Sequence, residues 1–256
     1  MRTVEKALRL LDFYDGQNPE FGLSDLARLS GIDKATVLRM LGDMAATGLV
    51  DQDPESRKWR LGAGILRLAR LREATFPVTR VLTPILERLA SLTGETAHAS
   101  LISGRQLGTI GIVESTRSNR VSLEPGQVLP LHATASGLAY TAFARPEVRA
   151  QLLAAPLTAT TTTTPTERAR LVDLLDAAGR NGYATADQTF EDEVFGIAVP
   201  IFGADGFATG ALAVASPISR ITADHMAAIV SALAPAAREA TLGLGGRVPP
   251  NHRIAI

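Results

Sequence analysis

Residues 23–50 read LSDLARLSGIDKATVLRMLGDMAATGLV. The stretch holds two short apolar-periodic segments divided by a glycine. In the first, Ser24 is placed to cap a helix, Leu26, Ala27 and Leu29 point inward, and Gly31 takes the turn that stops it. In the second, Asp33 is a good N-cap, Val37, Leu38, Leu41 and Met44 form the apolar stripe, and Gly48 ends the helix. Two short helices joined by a tight glycine turn make a helix-turn-helix. The second opens with Lys34, Ala35 and Thr36, with Arg39 one turn on. Small, polar and basic residues there suit a helix whose N-terminal end enters a major groove. Free N–H groups and the helix dipole add an attraction for phosphate.

The flanks extend the same reading. Upstream, TVEKALRLLDFYDG places Val4, Ala7, Leu8, Leu11 and Phe13 at helical spacing, and Gly16 closes the segment. Downstream, LVDQDPESRKWRLG gives strands at Leu49–Gln52 and Lys58–Leu61 around a polar turn containing Pro54 and Ser56. A hairpin directly after a helix-turn-helix is a wing, and its tip carries Arg57 and Lys58, placed for the phosphate backbone. From Arg57 to Arg72 the basic residues Arg57, Lys58, Arg60, Arg67, Arg70 and Arg72 are interrupted by no acid. A three-helix protein–protein module with solvated charges is the alternative. The order of turn glycine, basic helix and basic hairpin favours DNA.

The formal net charge of +0 does not exclude such local binding. A chain of 256 residues with 46% hydrophobic residues can bury a core and is long enough for two domains. The absence of cysteine excludes disulfides and thiol nucleophiles. The apolar runs are shorter than a bilayer span, and the N-terminus is charged and amphipathic, so a soluble, cytoplasmic protein is expected.

Beyond the wing, LGAGILRLARLREATFP reads as a linker helix with Ile65, Leu66, Leu68, Ala69 and Leu71 on one face, fit to meet a partner subunit and closed by Pro77. A helix over Val78–Thr93 follows, with Val81, Leu82, Ile85, Leu86 and Leu89 on a stripe. The period then becomes that of strands: ETAHASLI and QLGTIGIVE around Ser103-Gly104, with RVSLE as a further candidate. GLAYTAFA and PEVRAQLLAA read as helices. Thr158 to Thr164 is a low-complexity loop. TPTE reads as a capping box, with Thr164 as N-cap and Pro165 at the first helical position of a helix to Asn181 that turns Leu171, Leu174 and Leu175 inward. YATADQTF, VFGIAVPIF and ATGALAVAS give three strands, with Asp205-Gly206 between the last two. A final helix from Ala223 buries Met226, Ile229, Val230 and Leu233. The tail GRVPPNHRIAI is expected to fray. The fold expected is α+β.

The chemistry turns on LPLHATASGLAY, residues 129–140. His132 and Ser136 could be base and nucleophile, but a strand-turn-helix elbow needs Gly-x-Ser-x-Gly, and Thr134 stands where the first glycine should. A structural role for His132 is favoured. His98, His132, His225 and His252 show no metal-ligand spacing, although His98 and His132 could meet in space. Glu191, Asp192 and Glu193 are adjacent and cannot face one point. Ala135, Ser136 and Gly137 are small residues at a helix start, where free N–H groups suit a carboxylate. Close packing of the helix start against the sheet is the competing explanation.

Together these segments resemble the IclR family of bacterial transcriptional regulators. The resemblance rests on VEKALRLLDFY, the helix-turn-helix, WRLG, TGETAHASLI, LPLHATASGLA, GYATADQTFEDEVFGIAVPIF and SPISRIT, in order and over nearly the whole chain. It implies a winged helix-turn-helix (residues 1–62), a linker helix (63–75), a GAF-like effector-binding domain (76–246) and a tail (247–256). It also implies a homodimer or dimer of dimers on a near-palindromic operator in double-stranded DNA, a small organic acid as effector, no cofactor, no metal, no membrane and no enzymatic activity. Lys34, Thr36 and Arg39 match recognition positions; Ala35 stands where serine is frequent, and Leu138 where lysine is usual. The effector contacts implied are Leu129, Ala135, Ser136, Gly137, Ala186, Asp187, Val194, Gly196, Ala213 and Ala215. Relatives that sense glyoxylate or pyruvate carry polar residues at positions matching Ala186, Gly196, Ala213 and Ala215. Small apolar residues there imply a roomier, less polar cavity and an effector bulkier than pyruvate, such as a hydroxybenzoate. A second domain that only oligomerises is the alternative, and a serine/histidine hydrolase a remoter one.

Overall fold

The computed structural model describes residues 3–14, 18–75 and 78–255, so Gly16 and Pro77 lie outside the described residues. The chain divides into two compact units, Met1–Pro77 and Val78–Ile256.

The first unit contains α1 (Thr3–Arg9), continued by a 3-10 turn to Phe13, then β1 (Glu20–Phe21), α2 (Leu23–Ser30), α3 (Lys34–Ala46), β2 (Val50–Gln52), β3 (Trp59–Leu61) and α4 (Ala63–Thr75). Gly31 takes a left-handed φ of 66° between α2 and α3, a conformation that a side chain resists. The Asp33 carboxylate accepts the Thr36 N–H at 2.9 Å and caps α3, as its position predicts. Ser24 does not cap α2: Gly22 is the N-cap, and Ser24 lies exposed inside the first turn. The helix begins two residues earlier than the serine would set it. Leu26, Val37, Met40, Leu41, Met44, Val50 and Trp59 form the core. Leu29 and Leu38 were expected inward but are exposed, 43% and 48%, and Met40 takes the inward place on α3. The wing has a third strand, because Glu20 and Phe21 pair antiparallel with Arg60 and Trp59. Two residues are too short for an alternation to show.

The second unit is built on an antiparallel sheet in the order β6-β5-β4-β9-β8-β7. Its strands are β4 (Thr96–Ser103), β5 (Gln106–Val113), β6 (Val128–Leu129), β7 (Ala184–Asp187), β8 (Val194–Phe202) and β9 (Ala208–Pro217). Its helices are α5 (Val78–Thr93), α6 (Ala135–Phe143), α7 (Pro146–Ala154), α8 (Arg168–Asn181) and α9 (Ala223–Gly243). Successive strand residues point to opposite faces. Ala97, Ala99, Ile197, Val199, Leu212 and Val214 pack under α5 and α9. Ala184, Ala186, Ala198, Ala211 and Ala213 pack under α6 and α8. The first face is branched and bulky. The second is almost all alanine, so α6 can approach the sheet closely.

Three expectations fail here. RVSLE is not a strand; β6 lies further on, at Val128–Leu129. Thr164 does not cap α8, which starts at Arg168 with Glu167 as N-cap. The Thr164 hydroxyl is already committed: it accepts the N–H groups of Thr160 and Thr161 and donates to Thr189 O. The tail does not fray. Arg247 N–H donates to Gly203 O, Ala255 N–H to Asn181 O, and the His252 ring sits edge-on between Phe143 and Phe202.

Candidate functional site

Lys34, Ala35 and Arg39 are exposed along α3, and Thr36 is half-buried at its start. At the wing, Asp53 accepts the N–H groups of Glu55 and Ser56 and closes the turn. Arg57 is exposed with a left-handed φ of 60°, and its carbonyl accepts from Gln52 Nε2 at 2.8 Å. Lys58 is not a free cation. Its Nζ lies 2.7 Å from Glu20 Oε1, which raises its pKa, so a phosphate would have to displace β1's carboxylate. Such an exposed pair contributes little to stability, and exchange is feasible.

In the second unit, six of the ten effector candidates meet two more around a single cavity: Leu129, Ala135, Ser136, Ala186, Val194 and Gly196, with Ala213 and Ala215 on its floor. Cross-strand register builds that floor. Ala186 pairs with Gly196, Gly196 with Ala215, and Ala215 with Thr96. In the next row Ala184, Ala198, Ala213 and His98 are neighbours. A Cβ on Gly196 would approach the Ala135 Cβ to 3.2 Å, so the glycine keeps the mouth of α6 clear. The cavity's interior measures about 50 Å³.

Gly137 and Asp187 do not line it. A Cβ on Gly137 would fall 2.5 Å from Leu131 Cα and 2.6 Å from Pro130 O, so glycine is needed for close backbone packing, not ligand access. Its N–H is also taken, by Thr134 Oγ1 at 3.0 Å. Asp187 is exposed and bonds Gln188 Nε2. The N–H groups of Ala135 and Ser136 remain without an acceptor among the described residues.

The polar group at the floor is His98. It is buried, its Nε2 lies 3.2 Å from Ser136 Oγ, and its Nδ1 has no partner among the described residues. Burial lowers its pKa to about 4, so the imidazole is neutral at pH 7. His132 is elsewhere: its Nε2 meets Thr158 O at 2.9 Å. Ser136 therefore faces a different histidine from the one its spacing proposed, and no carboxylate orients that histidine as a triad requires. No cluster of three or more metal-ligating side chains occurs among the described residues.

Two loops form the roof. Residues 114–127 contribute Val121 and Leu123, and residues 188–193 contribute Thr189, Phe190 and Glu191. Thr96 Oγ1 donates to Val121 O at 2.6 Å. The first loop is anchored at buried Glu95, which binds Arg220 Nε at 2.6 Å and Arg117 Nη1 at 3.4 Å. The second is held by threonines: Thr161 and Thr163 donate to Gln188 O, Thr160 and Thr164 to Thr189 O, and Thr189 Oγ1 to Ala133 O. Glu191 lies half-buried at the mouth, and burial raises its carboxyl pKa. Sequence reasoning passed over His98 as a ligand contact, together with Val121, Leu123, Thr134, Thr189, Phe190 and Glu191. The only signal was the alternation that put His98 on a strand.

Residues 3–54 match the IclR helix-turn-helix domain, and residues 74–241 match the C-terminal domain of bacterial transcriptional regulator IclR. The chain belongs to the IclR family of bacterial transcriptional regulators. It is 28% identical over 222 residues to the HTH-type transcriptional regulator XynR of Escherichia coli K12, covering 86% of this chain and 88% of that protein. It is 28% identical over 254 residues to BhcR of Paracoccus denitrificans, covering 99% and 91%. An IclR regulator from Silicibacter sp. TM1040 superposes with a TM-score of 0.91 at 43% identity, covering 98% of this chain and 100% of that one. An IclR homologue from Microbacterium hydrocarbonoxydans, solved with 4-hydroxybenzoate, gives a TM-score of 0.74 at 26% identity, covering 95% and 99%. Like its IclR relatives, this chain is a DNA-binding transcription regulator and not an enzyme. Among the described residues no helix is long and apolar enough to cross a membrane.

Proposed function

We propose that this IclR regulator binds a near-palindromic operator as a cytoplasmic homodimer, or dimer of dimers, and releases or re-engages it when an aromatic carboxylic acid occupies the cavity of the second unit. Residues 1–62 are the DNA-binding head, 63–75 the linker and 76–246 the effector domain. Lys34, Thr36 and Arg39 meet bases or phosphates, and Arg57, with Lys58 once freed from Glu20, meets the backbone. The exposed leucines of α4, Leu66, Leu68 and Leu71, support a subunit contact there.

One observation carries the ligand class: a floor of Ala186, Gly196, Ala213 and Ala215 beside two unpartnered N–H groups at the start of α6. The N–H pair suits one carboxylate, and the apolar floor suits a ring. The Microbacterium homologue's 4-hydroxybenzoate supports the same chemistry. Calorimetry on the full chain tests it. An aromatic acid such as 4-hydroxybenzoate should bind more tightly than pyruvate, and pyruvate binding tighter than every aromatic acid tried overturns the reading. For the head, Arg39→Ala should weaken operator binding by about tenfold while leaving effector affinity intact. An unchanged gel shift removes Arg39 from the interface.

A further inference from the structure

The cavity's polar groups are unevenly spread. At its inner end are the N–H groups of Ala135 and Ser136 and the neutral imidazole of His98. At its mouth is the Glu191 carboxyl, half-buried. Between them the walls are Val121, Leu123, Phe190 and Val194. No lysine or arginine lines this space among the described residues. The groove that shares Glu191 and Val194 with the cavity adds Asp192 and Glu193, with Arg120 as its cation.

We infer that Glu191 is a specificity-determining residue, selecting effectors with a single carboxylate and a neutral hydrogen-bond donor at the far end, and rejecting a second negative charge. The inference rests on the proposed reading of the cavity as an aromatic-acid site. A carboxylate seated on α6 turns the ligand's other end toward the mouth. A hydroxyl there can donate to the Glu191 carboxylate. A second carboxylate there meets a like charge, and no cation within the cavity offsets it.

The test is calorimetry on the full chain with benzoate, the three hydroxybenzoate isomers, isophthalate and terephthalate, for wild type, Glu191→Gln and Glu191→Met. At least one hydroxybenzoate should bind wild type about tenfold more tightly than benzoate, as a hydrogen bond to a charged acceptor provides. Both dicarboxylates should bind more weakly than benzoate. In Glu191→Gln the preference for the hydroxyl should shrink and the dicarboxylates should tighten, with benzoate unchanged. Glu191→Met, which keeps the length but removes acceptor and charge, should abolish the preference even if the glutamine variant folds poorly. If the hydroxybenzoates bind and both variants keep the wild-type order, Glu191 is not the selector and the ligand class stands. If no member of the panel binds wild type, the aromatic-acid reading falls and this inference with it.

Discussion

His98 shows what one buried side chain does to the whole domain. Its pKa is about 4 in the folded chain and near 6.5 when solvated. Between those values the unfolded chain holds a proton that the folded chain does not, so stability rises with pH across that window. The full stability is present above pH 6.5. About 3 kcal/mol is lost as the pH falls from there toward 4. Urea unfolding at pH 7.5 and pH 5 should show the loss, and His98→Gln should flatten it; an equal loss in the variant places the proton elsewhere. Glu95 is the other buried residue on which much depends, because Arg220 and Arg117 converge on it and tie down the start of the roof loop. Glu95→Ala should destabilise the second unit by about 3 kcal/mol, read as a lowered urea midpoint. Neither role was legible in the chain. The smallness of Ala135 and Ser136 was visible in the sequence. That Ser136 faces His98, 38 positions away, depends on α6 lying over β8 and β9, with β4 the next strand, which no local pattern encodes.

At the scale of elements, the sequence spoke clearly where a period and a cap agreed. Asp33 and the run of α3 are an example, although Leu38 of the predicted stripe is exposed; α4 lies over the 63–75 that the family resemblance implied. Asp33→Ala should lower the urea midpoint of the first unit and loosen the start of the helix that carries Lys34 and Thr36. A midpoint unmoved by that substitution would show that the cap is replaceable. The sequence misled where a residue had two possible employers. Thr164 has the right neighbours for a capping box, yet its hydroxyl holds the loop and Thr189 instead. The threonine run thus reads as low complexity but acts as a clamp. Thr161→Val with Thr163→Val should speed amide hydrogen exchange over residues 187–191 without altering operator binding. Protection equal to wild type would mean that the carbonyl of Gln188 needs neither hydroxyl.

For the whole molecule, the order of motifs was enough to place the family, because each short match falls at its proper spacing in one chain. The cavity needed more than order. Its floor comes from four strands whose adjacency follows from the sheet order β4-β9-β8-β7, and its roof from two loops with no period at all. The regulatory proposal joins this cavity to an operator bound by the other unit, and such coupling exists only if the ligand favours one of two states. It is measured by titrating the full-length protein against labelled operator DNA at fixed salt, with and without saturating 4-hydroxybenzoate, for wild type and Ser136→Leu. The ligand should change the operator Kd of wild type several-fold, in either direction. Ser136→Leu should bind the operator like ligand-free wild type and ignore the ligand. An operator Kd for wild type that stays constant while calorimetry records 4-hydroxybenzoate bound would contradict the link between cavity and DNA.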